Sequence, residues 1–149
     1  MPKYKVDSIV RETISCSVRP SMMGPKDVKD FMWPYVVKYE PEHREMFWAI
    51  AVNTKNRVIS LYIISIGSLN ASIVHPREIF RPAILDGAAS IVIVHNHPTG
   101  DAEPSKEDVE FTQRFKKCGE LIGIQLLDHL IIGDVTGRFF SFKESGRLS

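Results

Sequence analysis

The strongest apolar run in the chain, Ala88–Val94, is broken only by Ser90 and ends on His95-Asn96-His97. It is far too short to cross a membrane as a helix, and its alternating Ile and Val residues are those of a strand buried on both faces. Such a strand needs hydrogen-bonded neighbours and a cover on each side of its sheet. Met46–Val52 and Val58–Ile66 are apolar on both faces and flank Asn53-Thr54-Lys55-Asn56, which predicts a hairpin. Gln125–Ile132 and Arg138–Phe142 predict a closing strand pair with Gly133 and Gly137 at its turn. Helices are expected from Pro25 to about Trp33, from Pro76 to near Gly87 and from about Ser105 to Leu121; Pro25 and Pro76 suit a first helical turn. Pro34 should end or kink the first helix, and Pro82 predicts a kink or an early stop in the second. Residues 4–18 alternate, with Tyr4, Val6, Val10, Ile14, Cys16 and Val18 on one side, and predict a long strand or two. Strands and helices mingle without strict alternation. The fold class is therefore α/β or α+β, a sandwich built on a mixed β-sheet flanked by helices.

A chain of 149 residues, 44% of them hydrophobic, can bury one proper core. A single domain over 1–149 is expected, with residues 1–24 as an N-terminal strand extension and 25–148 as the core. Nineteen Lys and Arg against 18 Asp and Glu leave a formal charge of +1. That balance supplies no global field for gripping a polyanion, although a local basic patch stays open. Cys16 and Cys118 form no C-x-x-C pair, and two thiols make no disulfide framework. No apolar stretch follows Lys3 and Lys5 that could serve as a signal peptide, so a cytoplasmic protein with no membrane contact is expected.

The chemistry concentrates in His95–Asp108. Two histidines at i and i+2 on extended backbone point to one side, so their imidazoles can converge on one ion. They stand where a buried strand passes into a loop, the usual place for ligand sites in α/β sheets. The loop turns back into a helix whose first turn can present the Asp108 carboxylate to the same point. Two His and one Asp leave a fourth tetrahedral position for water, as in a catalytic zinc site. Ser105-x-x-Asp108 also reads as a helix capping box, with Ser105 as the N-cap. Both readings of that pair stay open at this level.

The spacing His95-x-His97, seven residues, Ser105, two residues, Asp108 resembles the metal motif of the JAMM/MPN metalloprotease-type domain. Several further segments are similar to the RadC family in particular. They are His95–Gly100 followed by Pro104-Ser105, Asn53–Ile59, His75–Ile79 and Asp128–Gly133. The likeness covers about residues 45–148, more weakly Pro25–Val28. It implies a cytidine-deaminase-like sandwich with Zn²⁺ held by His95, His97 and Asp108. It further implies Glu45 as general base and Ser105 as the donor that stabilises an oxyanion; Glu40 and Glu42 stand close enough in sequence to rival Glu45.

Such parts suit hydrolysis of a peptide or isopeptide bond by a metal-activated water. The family association also implies an alternative, a DNA repair or replication accessory protein in which DNA is the partner and the zinc is secondary or vestigial. Longer RadC proteins carry an N-terminal region with a helix-hairpin-helix-like segment, where residues 1–24 here are expected to be strand. Among the remaining candidates, His129 is expected to be a hydrogen-bonded core residue or a support behind a ligand. His75 is expected at a helix start and His43 at the surface. Trp33 and Trp48 are expected in the core.

Overall fold

The computed structural model describes residues 10–12, 19–39, 44–67, 74–133 and 136–148. In chain order these form β1 (Val10–Glu12), α1 (Pro25–Tyr39), β2 (Glu45–Val52), β3 (Val58–Gly67), α2 (Pro76–Leu85), β4 (Ser90–Asn96), α3 (Lys106–Ile122), β5 (Gln125–Ile132) and β6 (Phe139–Ser141). The six strands make one mixed sheet in the order β1-β3-β2-β4-β5-β6. β4 and β5 are parallel and joined through α3, while all other pairs are antiparallel. The expected strand over 4–18 is described only at Val10–Glu12, which pairs with Leu61–Ile63; the rest of that stretch lies outside the described residues.

The β2–β3 hairpin forms where the turn chemistry asks for it. Asn53 Oδ1 accepts from the backbone N–H groups of Lys55 and Arg57 at 2.9 and 3.1 Å, and Asn56 takes the left-handed φ of 58°. Because successive side chains of a strand point to opposite faces, each central strand feeds two cores. Phe47, Ala49, Ile91, Ile93 and Ile131 pack with Phe80, Phe111 and Phe115 of α2 and α3. Trp48, Ile50, Val92, Val94, Leu130 and Ile132 pack instead with Val28, Met32 and Val36 of α1. The sheet is covered on both sides, and the architecture is a mixed α+β sandwich. Among the described residues, no helix is long and apolar enough to cross a membrane.

Neither internal proline ends its helix. α1 runs past Pro34 to Tyr39 instead of ending near Trp33. Val28, Met32 and Val36 recur every fourth residue and are at most 2% exposed, so tertiary burial holds the helix together. Pro34 is exposed, so its ring and missing N–H fall on the side that carries no packing. α2 likewise continues past Pro82 to Leu85. Pro82 is buried with Ile79, Phe80 and Ala83, and its carbonyl accepts from Tyr62 Oη at 3.2 Å and Asp86 N at 3.0 Å.

Candidate metal centre

β4 delivers His95 to the α2–α3 face, and His97, two residues on, follows to the same side. Their Nε2 atoms lie 3.0 Å apart. Opposite them, α3 begins with Ser105 as N-cap. Ser105 Oγ accepts from Asp108 N at 3.1 Å, while Ser105 N donates to Asp108 Oδ2 at 2.8 Å. That reciprocal pair supplies two of the amide bonds a helix start lacks. The same carboxylate places Oδ1 3.2 Å from His95 Nε2 and Oδ2 3.2 Å from His97 Nε2. Cap and site are thus one arrangement, since the box that starts the helix also aims Asp108 at the histidines.

The intervening loop is pinned at several points. His97 N donates to Ile132 O at 2.8 Å, and Gly100 N donates to His97 O at 3.0 Å. A Cβ on Gly133 would lie 2.5 Å from the Gly100 carbonyl oxygen, so the end of β5 can approach the loop only as glycine. His97 Nδ1 meets the Asp101 carbonyl at 2.8 Å. A carbonyl only accepts, so Nδ1 carries the proton and Nε2 turns a lone pair into the site.

Glu45 reaches the same place from the first position of β2. The β2–β4 ladder pairs Phe47 with His95 and stops there. Beyond it the Asn96 side chain takes over: its Oδ1 accepts from Met46 N at 2.6 Å, and its Nδ2 donates to Arg44 O at 3.0 Å. Asn96 thereby grips the backbone on both sides of Glu45, much as another strand would. Donor atoms of Glu45, His95 and His97 all lie within 4.8 Å of one another. The rivals Glu40 and Glu42, like His43, lie outside the described residues.

Aromatic rings wall the cluster. Phe47 stacks on His95 with an interplanar angle of 7°, and Phe142 stacks likewise on His129. His129 is fully buried, with Nε2 2.8 Å from His95 Nδ1 and Nδ1 2.6 Å from Thr112 Oγ1. It supports a site residue and does not face the Nε2–carboxylate cluster itself. His75 caps the start of α2 with no side-chain cap bond.

Electrostatics follow the packing. Burial alone would push the Asp108 carboxyl up, but its contacts with His95 and His97 and the bond from Ser105 N outweigh it and hold the group well below the usual carboxylate range. Burial pulls His97 down, yet its contacts with Asp108 and the Asp101 carbonyl carry it above the usual histidine value. Burial, aided by neighbouring His95, keeps His129 far below that value and neutral.

These donors fit a divalent ion. With Nδ1 of His97 committed to a carbonyl, its Nε2 lone pair and the Asp108 oxygens, acceptors only, converge with His95 Nε2 at 3.0–3.2 Å. Ligand atoms about 2.0–2.1 Å from a tetrahedral zinc stand roughly 3.3 Å apart, close to this spacing. Two imidazoles and a carboxylate also form the donor set of catalytic rather than structural zinc sites. The fold brings to one locus the residues named from the sequence, Glu45, His95, His97, Ser105 and Asp108. The sequence reading missed Asn96 and Thr112, whose roles depend on partners from other strands and helices. The one local hint for Asn96 is its position between two histidines.

A mixed sheet with helices on both faces, and a candidate metal site where a His-x-His strand end meets a capped aspartate, fit the JAB type of domain. The RadC-like JAB domain family model matches residues 22–147, and the chain belongs to that family. A UPF0758 protein of Methanosarcina mazei is 44% identical over 135 residues, covering 91% of this chain and 57% of the relative. One from Clostridioides difficile is 46% identical over 128 residues, covering 86% of this chain and 52% of the relative. One from a Geobacillus species is 61% identical over 103 residues, covering 69% and 45% respectively. The chain spans about half the length of the curated relatives it matches.

Proposed function

We propose that this domain is a zinc-dependent hydrolase of the JAMM type, cleaving a peptide or isopeptide bond in a reducing cytoplasm. The observation that carries the reading is the convergence of His95 Nε2, His97 Nε2 and the Asp108 carboxylate within 3.0–3.2 Å, with Glu45 beside them. His95, His97 and Asp108 would hold the ion, which when bound supplies a Lewis acid and lowers the pKa of water toward neutrality. Glu45, at the rim of the cluster and half-buried, is the general base: its carboxylate takes the proton of the attacking water and returns it to the leaving amine. Ser105 uses its oxygen, not its hydrogen, in the helix cap, so the exposed hydroxyl keeps a donor for the charge developing on the scissile carbonyl oxygen. A composition with only two cysteines, Cys16 and Cys118, supports the reducing compartment.

The test is a screen of peptide and isopeptide substrates with the purified chain, first metal-analysed and then zinc-loaded. About one zinc per chain is expected, lost on replacing His95, His97 or Asp108 with Ala, together with turnover that a chelator abolishes. Protein that neither contains nor takes up zinc would sink the reading. So would cleavage that survives in the His97→Ala variant.

A further inference from the structure

Behind His95 runs a chain of hydrogen bonds whose direction is decided at its far end. Thr112 Oγ1 lies 2.6 Å from the Asp108 carbonyl oxygen, one helical turn back. That carbonyl has no hydrogen to offer, so the single hydroxyl proton of Thr112 goes to it. Thr112 Oγ1 then has only lone pairs left for His129 Nδ1, 2.6 Å away, and His129 Nδ1 must carry the proton of that neutral ring. His129 Nε2 is consequently an acceptor, and His95 Nδ1, at 2.8 Å, must donate to it. His95 is left with a bare Nε2, aimed at His97 Nε2 and Asp108 Oδ1. The chain closes on itself: it leaves from the backbone carbonyl of Asp108 and arrives at the same residue's carboxylate.

We infer that Thr112 and His129 are positioning residues that hold His95 in the tautomer whose Nε2 lone pair faces the metal centre. The inference rests on the metal-centre reading above but names residues outside its ligand set. Packing supports it. His129 is clamped between a stacked Phe142 and the edge of Phe111, and His95 is stacked on Phe47, so neither ring can turn away to find another partner. Thr112 is itself wholly buried, so no solvent stands in for its oxygen. Were the Thr112 oxygen removed, His129 Nδ1–H would lose its acceptor. The ring avoids that by moving its proton to Nε2. His95 must then accept at Nδ1 and carry its own proton on Nε2, where it blocks the ligand lone pair.

Two readouts test this in the full chain. Long-range ¹H–¹⁵N spectra of the metal-free, histidine-labelled protein, taken with the imidazoles neutral, should show His95, His97 and His129 all protonated on Nδ1. Zinc affinity, measured against a chromophoric chelator, should fall by ~10–100-fold in Thr112→Val, with the His95 proton moved to Nε2. Thr112→Ser restores the hydroxyl and should return both the spectrum and the affinity. Should Thr112→Val fail to fold, His129→Phe keeps the ring against Phe142, removes the acceptor and should weaken zinc by the same factor. A wild-type His95 protonated on Nε2 would overturn the inference, as would unchanged affinity in the variant that folds. A wild-type chain with the expected spectrum that binds no zinc would instead overturn the metal-centre reading.

Discussion

The two faces of the central sheet are built from alternate residues of the same strands, yet they do different work. Toward α1, Trp48, Val94, Leu130 and Ile132 meet Val28, Met32 and Val36 in an apolar layer. Polar groups interrupt it at Trp48 Nε1, buried without a partner, and at Asp128, opposite Val92, whose buried carboxylate accepts from Ser141 Oγ and from the His129 and Lys143 amides. Toward α2 and α3 the layer starts equally apolar, with Ile91, Ile93 and Phe115. It ends in a buried polar cluster of His95, Asp108, Thr112 and His129. Every member of that cluster is hydrogen-bonded, and burial of polar groups requires as much. Hydrophobic packing would stabilise that end of the sheet at lower cost, since buried ionic groups seldom outperform it. One face is organised for stability, and the other carries the candidate metal site.

The contrast breaks first at Glu45. Glu45→Gln keeps size and removes the basic oxygen, so turnover should fall by ~10²–10⁴-fold while zinc content and melting temperature hardly change. Steady-state kinetics beside metal analysis would decide it. Zinc lost in the variant would make Glu45 a ligand, and full activity would pass the role to Glu40 or Glu42.

Neighbouring residues of β5 sharpen the comparison, because Leu130 and His129 point to opposite faces. Leu130 is 0% exposed, and Leu130→Ala should cost about 2–5 kcal/mol of stability. Its zinc affinity should stay at the wild-type value under conditions where the variant remains folded. Denaturant unfolding together with chelator competition separates the two quantities. A parallel loss of affinity would mean that the faces are coupled.

Ser105 sits where structure and chemistry overlap. Ser105→Ala should cost ~1 kcal/mol through the lost cap and lower turnover by ~10²-fold with zinc retained. Thermal melts and kinetics on the same preparation make the division, and unchanged turnover would leave Ser105 a cap alone.

The gentlest probe is pH. A metal ion must displace the proton from His97, whose pKa lies above the usual histidine value because of Asp108 and the Asp101 carbonyl. Zinc affinity should therefore begin to fall on acidification already above pH ~6.5, the ordinary histidine value. Calorimetric titrations across that range, in buffers of different ionisation enthalpy, would also count the released proton. An affinity flat down to pH ~6 would contradict the raised value.

Much of this molecule is legible in local pattern. The Ala88–Val94 run marks β4, and the period of His95 and His97 puts both imidazoles on one side. Ser105 and Asp108 announce the start of α3, and Asn53–Asn56 announce the hairpin. Each of these depends on strand or helix periodicity, or on a side chain bonding to backbone a few residues away, and such interactions are written in consecutive residues. Tertiary structure alone decided the rest. Pro34 and Pro82 stay inside helices because burial of their neighbours outweighs a lost backbone bond. Glu45 arrives at the histidines because β2 pairs antiparallel with β4 and Asn96 extends that pairing beyond the last ladder bond. His129 stands behind His95, and not beside some other residue, because β4 and β5 run parallel in a register that aligns Ile93 with His129. Periodicity tells which face a side chain takes; only strand pairing and register choose which distant residue it meets there.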